Sequence, residues 1–318
     1  MRCPRSSCAE AGASTVGRAQ LAVVVLSYRN ERTIVAAVES LFGQVGPPLE
    51  LVVSHSGGGP TPGLLGERFP GLRLLASPSR RTPGAARNAG VEATHAPYVA
   101  FLAGDCAACP GWAMGRLRRH RAGAVAVASA MATPSAAAPL ASHLLQHGYR
   151  MRHVDAPGHL RFGVSYAREL LVRHGPFPEG LPGEEDVALN LRLLESRVQV
   201  VFAPDVVTEH SYPATATELL RDQYHRGRLR YRVRAELRPR AALAARALAD
   251  APAGLWRAAG RGSLVRPRGL ARSVPLVVAG SLATAAGIVT EPGPRPGPSP
   301  GPGSARARVR LHSASSRT

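Results

Sequence analysis

Apolar and polar positions alternate along the first 130 residues in a repeating order. Leu21 to Ser27 (LAVVVLS) is a continuous apolar run, which reads as a strand buried on both faces. Asn30 follows as an N-cap, and Ile34, Val35, Val38, Leu41 and Phe42 recur at helical spacing. Gly46-Pro47-Pro48 breaks the chain, and Leu49 to Val53 reads as a second strand. Leu72 to Ala76 is a third, Pro83 to Ala93 a helix with proline in its first turn, and Tyr98 to Leu102 a fourth strand. Trp112 to His120 is then helical and Ala124 to Ala128 a strand. Strands alternating with helices predict an α/β fold with a doubly wound, mainly parallel sheet and helices on both faces.

The second half has a looser pattern. Phe162 to Tyr166 reads as a strand, Ala167 to Arg173 as a short helix, Glu184 to Ser196 as a helix with three acids in its first turn, and Val198 to Phe202 as a strand. Thr215 to Leu237 is a long Arg-rich helix, and Ser273 to Val289 is apolar but interrupted by Pro275 and Gly280. That last stretch sits at the short limit for a membrane span, so an interfacial segment is an equal reading. Residues 1–19 and 291–318 are expected to be disordered tails, around a domain at 20–215 and a basic helical region at 216–290. Ser129 to Phe162 shows no pattern that assigns it a role.

Charge changes the picture. The 318 residues carry a formal net charge of +19, and every basic residue other than histidine is arginine. Arginines crowd Arg221 to Arg272, where only Glu218, Asp222, Glu236 and Asp250 stand near them. An anionic membrane surface, a nucleic acid or simple solvation would all suit such a run. No helix-turn-helix, zinc finger or aromatic-basic interleaving accompanies it, which argues against nucleic acid. No apolar segment near the N-terminus reads as a signal peptide. Cys106 and Cys109 have redox or metal spacing but lack the surrounding pattern of either.

Candidate chemistry begins at Asp105. It follows a buried strand, at the sheet edge where open α/β folds present groups to ligands. A loop aspartate there can cap the next helix or hold a divalent cation. Glu185 and Asp186 open a helix, where acids stabilise the helix end or serve as an acid/base pair. His210 ends an apolar run.

Five motifs in order carry a resemblance: VVVLSYRNERTI (Val23 to Ile34), GAARNAGVEAT (Gly84 to Thr94), YVAFLAGDCAACPGW (Tyr98 to Trp112), the segment from Gly163 to Leu193, and QYHRGRLR (Gln223 to Arg230). Together they resemble family 2 glycosyltransferases with the GT-A fold, over about Leu21 to Arg230. The resemblance implies an inverting transfer of a sugar from a nucleotide-diphosphate donor to an acceptor hydroxyl. It implies Asp186 as the ionised base, with Glu185 orienting it or the acceptor. Asp105 and His210 would hold Mn2+ or Mg2+, and Ser27, Tyr28, Glu31, His55, Arg87 and Asp105 would meet the nucleotide sugar. The acceptor expected is lipid-linked or a cell-envelope glycan, reached at the cytoplasmic face of the membrane. Two acids of the family pattern are replaced. Ala103 stands where the Asp-x-Asp motif begins, and Ser54-His55-Ser56 holds no carboxylate after the second strand. A GT-A module that binds nucleotide or a partner without transfer is the alternative.

Overall fold

The computed structural model describes residues 19–154, 163–260 and 262–293. In chain order the elements are β1 (Leu21–Ser27), α1 (Ile34–Phe42), β2 (Leu49–Ser56), α2 (Thr61–Arg68), β3 (Arg73–Ser77), α3 (Pro83–Glu92), β4 (Tyr98–Ala103), β5 (Cys106–Ala108) and α4 (Trp112–Arg121). There follow β6 (Ala126–Met131), α5 (Ala137–Gln146), a 3-10 turn at Gly148–Arg150, β7 (Val164–Ala167), α6 (Arg168–His174), α7 (Glu185–Glu195) and β8 (Val201–His210). Three long helices close the described chain: α8 (Ala216–Arg234), α9 (Arg240–Ala259) and α10 (Pro267–Thr290).

The eight strands form one sheet in the order β3-β2-β1-β4-β7-β6-β8-β5. β3, β2, β1 and β4 are mutually parallel, as are β6 and β8. β7 runs antiparallel between β4 and β6, and β5 antiparallel along the edge of β8. The sheet is therefore mainly parallel, with helices on both faces. β1 shows why its sequence lacks alternation. Leu21, Val23 and Val25 pack into one core with Ile34, Leu41, Trp112 and Leu117. Ala22 and Val24 face the other, with Phe101, Tyr166, Phe177 and Leu189. A strand covered on both sides needs apolar residues at every position.

β1 lies beside β2 on one flank and β4 on the other, so the chain reverses direction of travel across the sheet there. The carboxyl ends of β1, β2 and β4 open at that switch point, where doubly wound sheets bind ligands. Ser27 and His55 are register partners across β1 and β2.

Several elements differ from the pattern read in the sequence. α2, β5, α5 and the continuous helix α9 were not anticipated. β8 begins at Val201 and runs ten residues to His210, where Val198 to Phe202 was expected. Within it lies Ala203-Pro204-Asp205. In the sheet this is a bulge, with the register against β6 shifting between Ser129 and Ala130. A bulge accommodates a proline that has no N–H for the ladder. Asn30 does not cap α1. The helix starts at Ile34, and Asn30 Oδ1 instead lies 2.8 Å from Ser27 Oγ. Glu184 likewise falls outside α7, in a left-handed conformation with φ 62°. The expected tails fall almost wholly outside the described residues.

Beyond the sheet, α5, α8, α9 and α10 build a third core from Leu140, Leu144, Leu219, Ala251 and Val277. Thr215 and Glu218 form a reciprocal capping box at the start of α8, worth about 1 kcal/mol. Most arginines of α8 pair with acids. Arg226 pairs with Asp222, Arg230 with Asp250, Arg234 with Glu184, and Arg228 and Arg232 both with Glu291. Part of the positive run thus consists of ion pairs within the helical region and is not a free polyanion surface.

Candidate active site

Two clusters of chemically capable side chains flank the switch point. The first is built from α3 and α7. Arg87 donates from Nε to Glu185 Oε1 at 2.8 Å, and its Nη2 lies 3.8 Å from Asp186 Oδ2. The guanidinium sits over the rings of Phe101 and Phe177, with centroids 5.0 and 5.3 Å away. Asn88, one residue on, donates to Phe177 O and Glu179 Oε1. The Gly84 to Thr94 motif thus clamps the segment that carries the acid pair. Gly90 lets the helix sit close to β1, because a Cβ there would come within 2.2 Å of Val24 Cγ1. Arg87, expected at a phosphate or base, is instead the counter-ion of Glu185 and Asp186.

Glu185 and Asp186 are both buried, at 3% and 5% exposure. Burial first, and the neighbouring Glu185 carboxylate second, push Asp186 up to about 8, against the pull of Arg87. The helix start alone would hold this acid ionised. Desolvation and a like charge outweigh it, because each penalises a second negative charge in a closed site. The same burial pushes the Tyr166 hydroxyl up; it donates to Asn190 Oδ1 at 2.9 Å.

The second cluster lies at the ends of β4 and β8. β5 pairs with β8 so that Cys106 is the register partner of His210, and Asp105 O accepts the Ser211 N–H at 2.8 Å. His210 Nε2 is then 3.6 Å from Asp105 Oδ2, and Cys106 Sγ is 3.6 Å from Asp105 Oδ1. Among the described residues these three bring ligand atoms within 4.8 Å of one another. Burial lowers the His210 pKa, with the Asp105 charge opposing, so the imidazole is neutral and offers a lone pair. Its Nδ1 is buried without a hydrogen-bond partner among the described residues. Burial and Asp105 raise the Cys106 thiol well above its usual range. This donor set fits a hard divalent cation held by Asp105 and His210, with Cys106 remaining a protonated neighbour.

A buried group that the sequence did not reveal surrounds His210. His143 on α5 and His147, one turn later just past its end, place Nδ1 at 2.8 and 2.9 Å from the Tyr212 hydroxyl. The Tyr212 and His147 rings lie 4.4 and 5.2 Å from that of His210. Burial takes His143 down to about 3 and His147 well below its usual value. The H-x-x-x-H spacing was the available signal, hidden in a stretch that showed no other pattern. Arg150 was also missed. It is 1% exposed and donates from Nε to Ser129 O at 3.0 Å. Its charge is felt by Cys106, and it feels both Cys106 and Asp186. Its guanidinium is anchored on Ser129, donating from Nη2 to Ser129 Oγ at 2.8 Å.

The remaining candidates line the ends of β1 and β2. Tyr28 is 37% exposed, with Arg80 over its ring at 4.9 Å. Arg29 beside it has φ 49°, so left-handed backbone occurs next to both candidate clusters, at Arg29 and Glu184. Glu31 faces the Gly57-Gly58-Gly59 turn, its Oε1 3.5 Å from where a Cβ of Gly59 would stand. Ser27 and His55 are not presented to a ligand. His55 is 1% exposed, its Nδ1 2.9 Å from Ser27 Oγ and its Nε2 2.9 Å from Gly58 O. Both ring nitrogens are spent holding the loop. Ala103 is exposed at the end of β4.

Residues 22–163 match the family model described as glycosyl transferase family 2. This segment is a family 2 glycosyltransferase domain. A 98-residue stretch is 39% identical to succinoglycan biosynthesis protein ExoO of Rhizobium meliloti (strain 1021). The match covers 30% of this chain and 27% of that protein, so it spans about a quarter of the relative's length. The mannosyltransferase PcManGT of Pyrobaculum calidifontis, solved with GDP-Man and Mn2+, aligns with a TM-score of 0.55. It is 20% identical over 85% of this chain and 86% of that one. At that identity the likeness shows the fold, which is the GT-A glycosyltransferase fold with a helical extension. Asp105, Cys106 and Arg87 lie within the family 2 segment, whereas Glu185, Asp186 and His210 lie beyond it.

Proposed function

We propose that this protein is an inverting glycosyltransferase that moves a sugar from a nucleoside-diphosphate donor to an acceptor hydroxyl in cell-envelope glycan or glycolipid synthesis. The observation that carries the reading is the pair of clusters flanking the switch point. A buried acid pair with a base tuned near neutrality stands on one side, and a carboxylate–imidazole pair on the other. Support for the donor and pathway class comes from PcManGT, solved with a nucleotide sugar, and from the biosynthetic name of the ExoO relative.

In this mechanism Asp186 Oδ2 takes the proton of the acceptor hydroxyl, since Oδ1 already accepts the Val187 N–H at 2.8 Å. The hydroxyl oxygen bonds to the anomeric carbon as the bond to the diphosphate breaks, and the electron pair leaves with the nucleotide. Glu185 accepts from Arg87 Nε and fixes the base in place. Asp105 and His210 would hold a divalent cation, Mn2+ or Mg2+, which supplies electrostatic stabilisation of the leaving diphosphate. Tyr28, exposed beside the β1 end, offers a face on which a nucleotide base can stack.

A second reading rests on specific observations: Ala103 and the Ser54-His55-Ser56 turn hold no acid, and His55 is fully engaged. A GT-A module that binds nucleotide without transfer would look the same there. Mass spectrometry of a nucleotide-sugar panel with purified protein and Mn2+ separates the two. Transfer or donor hydrolysis with any sugar supports the transferase. Calorimetric nucleotide binding with no turnover across the panel supports the binding module.

A further inference from the structure

α10 is apolar and long enough to cross a bilayer by length and composition, yet its surroundings rule against that orientation. α8, packed along it, carries Asp222, Arg226, Arg228 and Arg232. Drawing those charges into hydrocarbon would cost several kcal/mol each. The helix is instead divided lengthwise. The face turned to α5, α8 and α9 holds Ser273, Gly280, Ser281, Thr284 and Gly287 beside Val277 and Ile288, all buried. Ser281 Oγ donates to Ala247 O at 2.6 Å, and Thr284 Oγ1 to Gln223 Oε1 at 3.2 Å. Backbones touch there. A Cβ on Gly227 would meet Thr284 O, and one on Gly287 would meet Tyr224 O, each at 2.1 Å.

The outer face holds Val274, Val278, Leu282 and Val289, exposed at 38, 47, 56 and 57%. No charged residue occurs between Arg272 and Glu291. The small and hydroxyl residues thus face protein together with Val277 and Ile288, while four more aliphatics face outward where a helix that meets water carries polar residues. Small residues and hydroxyl bonds at helix contacts are how helices associate in lipid. At 3.6 residues per turn, Arg268 and Arg272 fall at the amino end of the same outer face. Arg266, Arg268 and Arg272 are exposed and make no ion pair among the described residues. At the end of α9 next to this turn, Trp256 is 82% exposed, and Leu264 in the connection is 65% exposed.

We propose that this face of α10, with Trp256 and Leu264, lies in the headgroup–acyl boundary of a bilayer containing anionic phospholipid, and that Arg266, Arg268 and Arg272 meet lipid phosphates. Apolar area and cationic flanks together define such interfacial helices, and tryptophan favours that depth. The inference rests on the helices alone, so it stands or fails independently of the transferase reading.

The test is co-flotation of the full-length protein with phosphatidylcholine vesicles, with and without phosphatidylglycerol, and it needs no enzymatic activity. Wild type is expected to float with the anionic vesicles and to be released by alkaline wash. Val278→Asp with Leu282→Asp is expected to keep its thermal midpoint, because both sites are exposed, and to lose at least about tenfold in binding. Arg268→Glu with Arg272→Glu is the second variant, expected to lose binding to anionic vesicles and the salt dependence of what remains. Trp256 fluorescence should shift to the blue on anionic vesicles, and Trp256→Phe should abolish the shift. Wild type left in the load fraction, or the Asp double variant floating like wild type, would overturn the proposal. So would light scattering that shows a dimer made monomeric by that variant without vesicle binding, which would assign the face to a second copy. Resistance to alkaline extraction would overturn the in-plane orientation.

Discussion

The two carboxylates given chemical roles live in opposite settings. Asp186 is 5% exposed behind α3 and shares its enclosure with Glu185 and Arg87. Asp105 has a side chain 44% exposed and faces one neutral imidazole. The same functional group is pushed toward neutrality in the first place and left open to solvent and a cation in the second. Burial creates a base, and exposure creates a ligand. On the acid side one guanidinium, Arg87, serves both carboxylates across α3 and α7. The donor side holds no carboxylate at Ala103 or in Ser54-His55-Ser56.

Breaking the acid side should give the largest effect. Arg87→Ala leaves two buried carboxylates without their cation and should cost about 3–5 kcal/mol of stability. Urea unfolding would measure it, and a loss under 1 kcal/mol would show that the pair is not held by Arg87. Asp186→Asn should lower kcat about 10^2- to 10^4-fold while keeping or raising the thermal midpoint, since it removes repulsion from Glu185. Undiminished turnover would sink its assignment as the base.

The pH profile sharpens the comparison. A base whose pKa is raised to about 8 is protonated and idle below that value. The rate should climb between pH 6 and 8 and level off above. The stability sign is opposite. Folded Asp186 holds its proton up to about 8, whereas in the unfolded chain it releases it near 3.9. Its contribution to stability is therefore fully present below the unfolded value and is lost as pH rises through the folded one. Asp186→Asn should be relatively most stable, against wild type, above pH 8. An activity profile flat across pH 6 to 8 would contradict the raised pKa.

Smaller changes are expected on the donor side. His210→Ala should raise the Mn2+ concentration for half-maximal activity about 10- to 100-fold, read by titration after chelation. Ala103→Asp restores a carboxylate at an exposed strand end and should lower that concentration severalfold, since added ligand charge tightens cation sites. No change with either variant would place the cation elsewhere.

Much of this was legible in residue order. The unbroken apolar runs of β1 and β4, the helical spacing of α1 and the Gly84 to Thr94 motif announced a doubly wound sheet, because two-sided burial leaves a plain mark on sequence. The acids at Glu185 and Asp186 were visible for the same local reason, at a helix start. Arg87, Ser27 and His55 were visible as residues, but their partners were not. α5 and the histidines at its end stayed hidden because its stretch carries no strand–helix alternation. β8 was cut short in the reading because Pro204 in a bulge is indistinguishable from Pro204 in a turn.

By itself the sequence determined the strand–helix alternation of a mainly parallel sheet and the family, both of which depend on neighbours within a few residues or on ordered motifs. Tertiary structure alone decided which charges meet. Pairing of β5 with β8 carried His210 to Asp105, more than a hundred residues away in the chain. Packing of α3 on α7 gave Arg87 to Glu185 and Asp186, and the closed space between them raised the pKa of Asp186. Desolvation and charge pairing depend on distance in space, and chain order does not encode that distance until the sheet has formed.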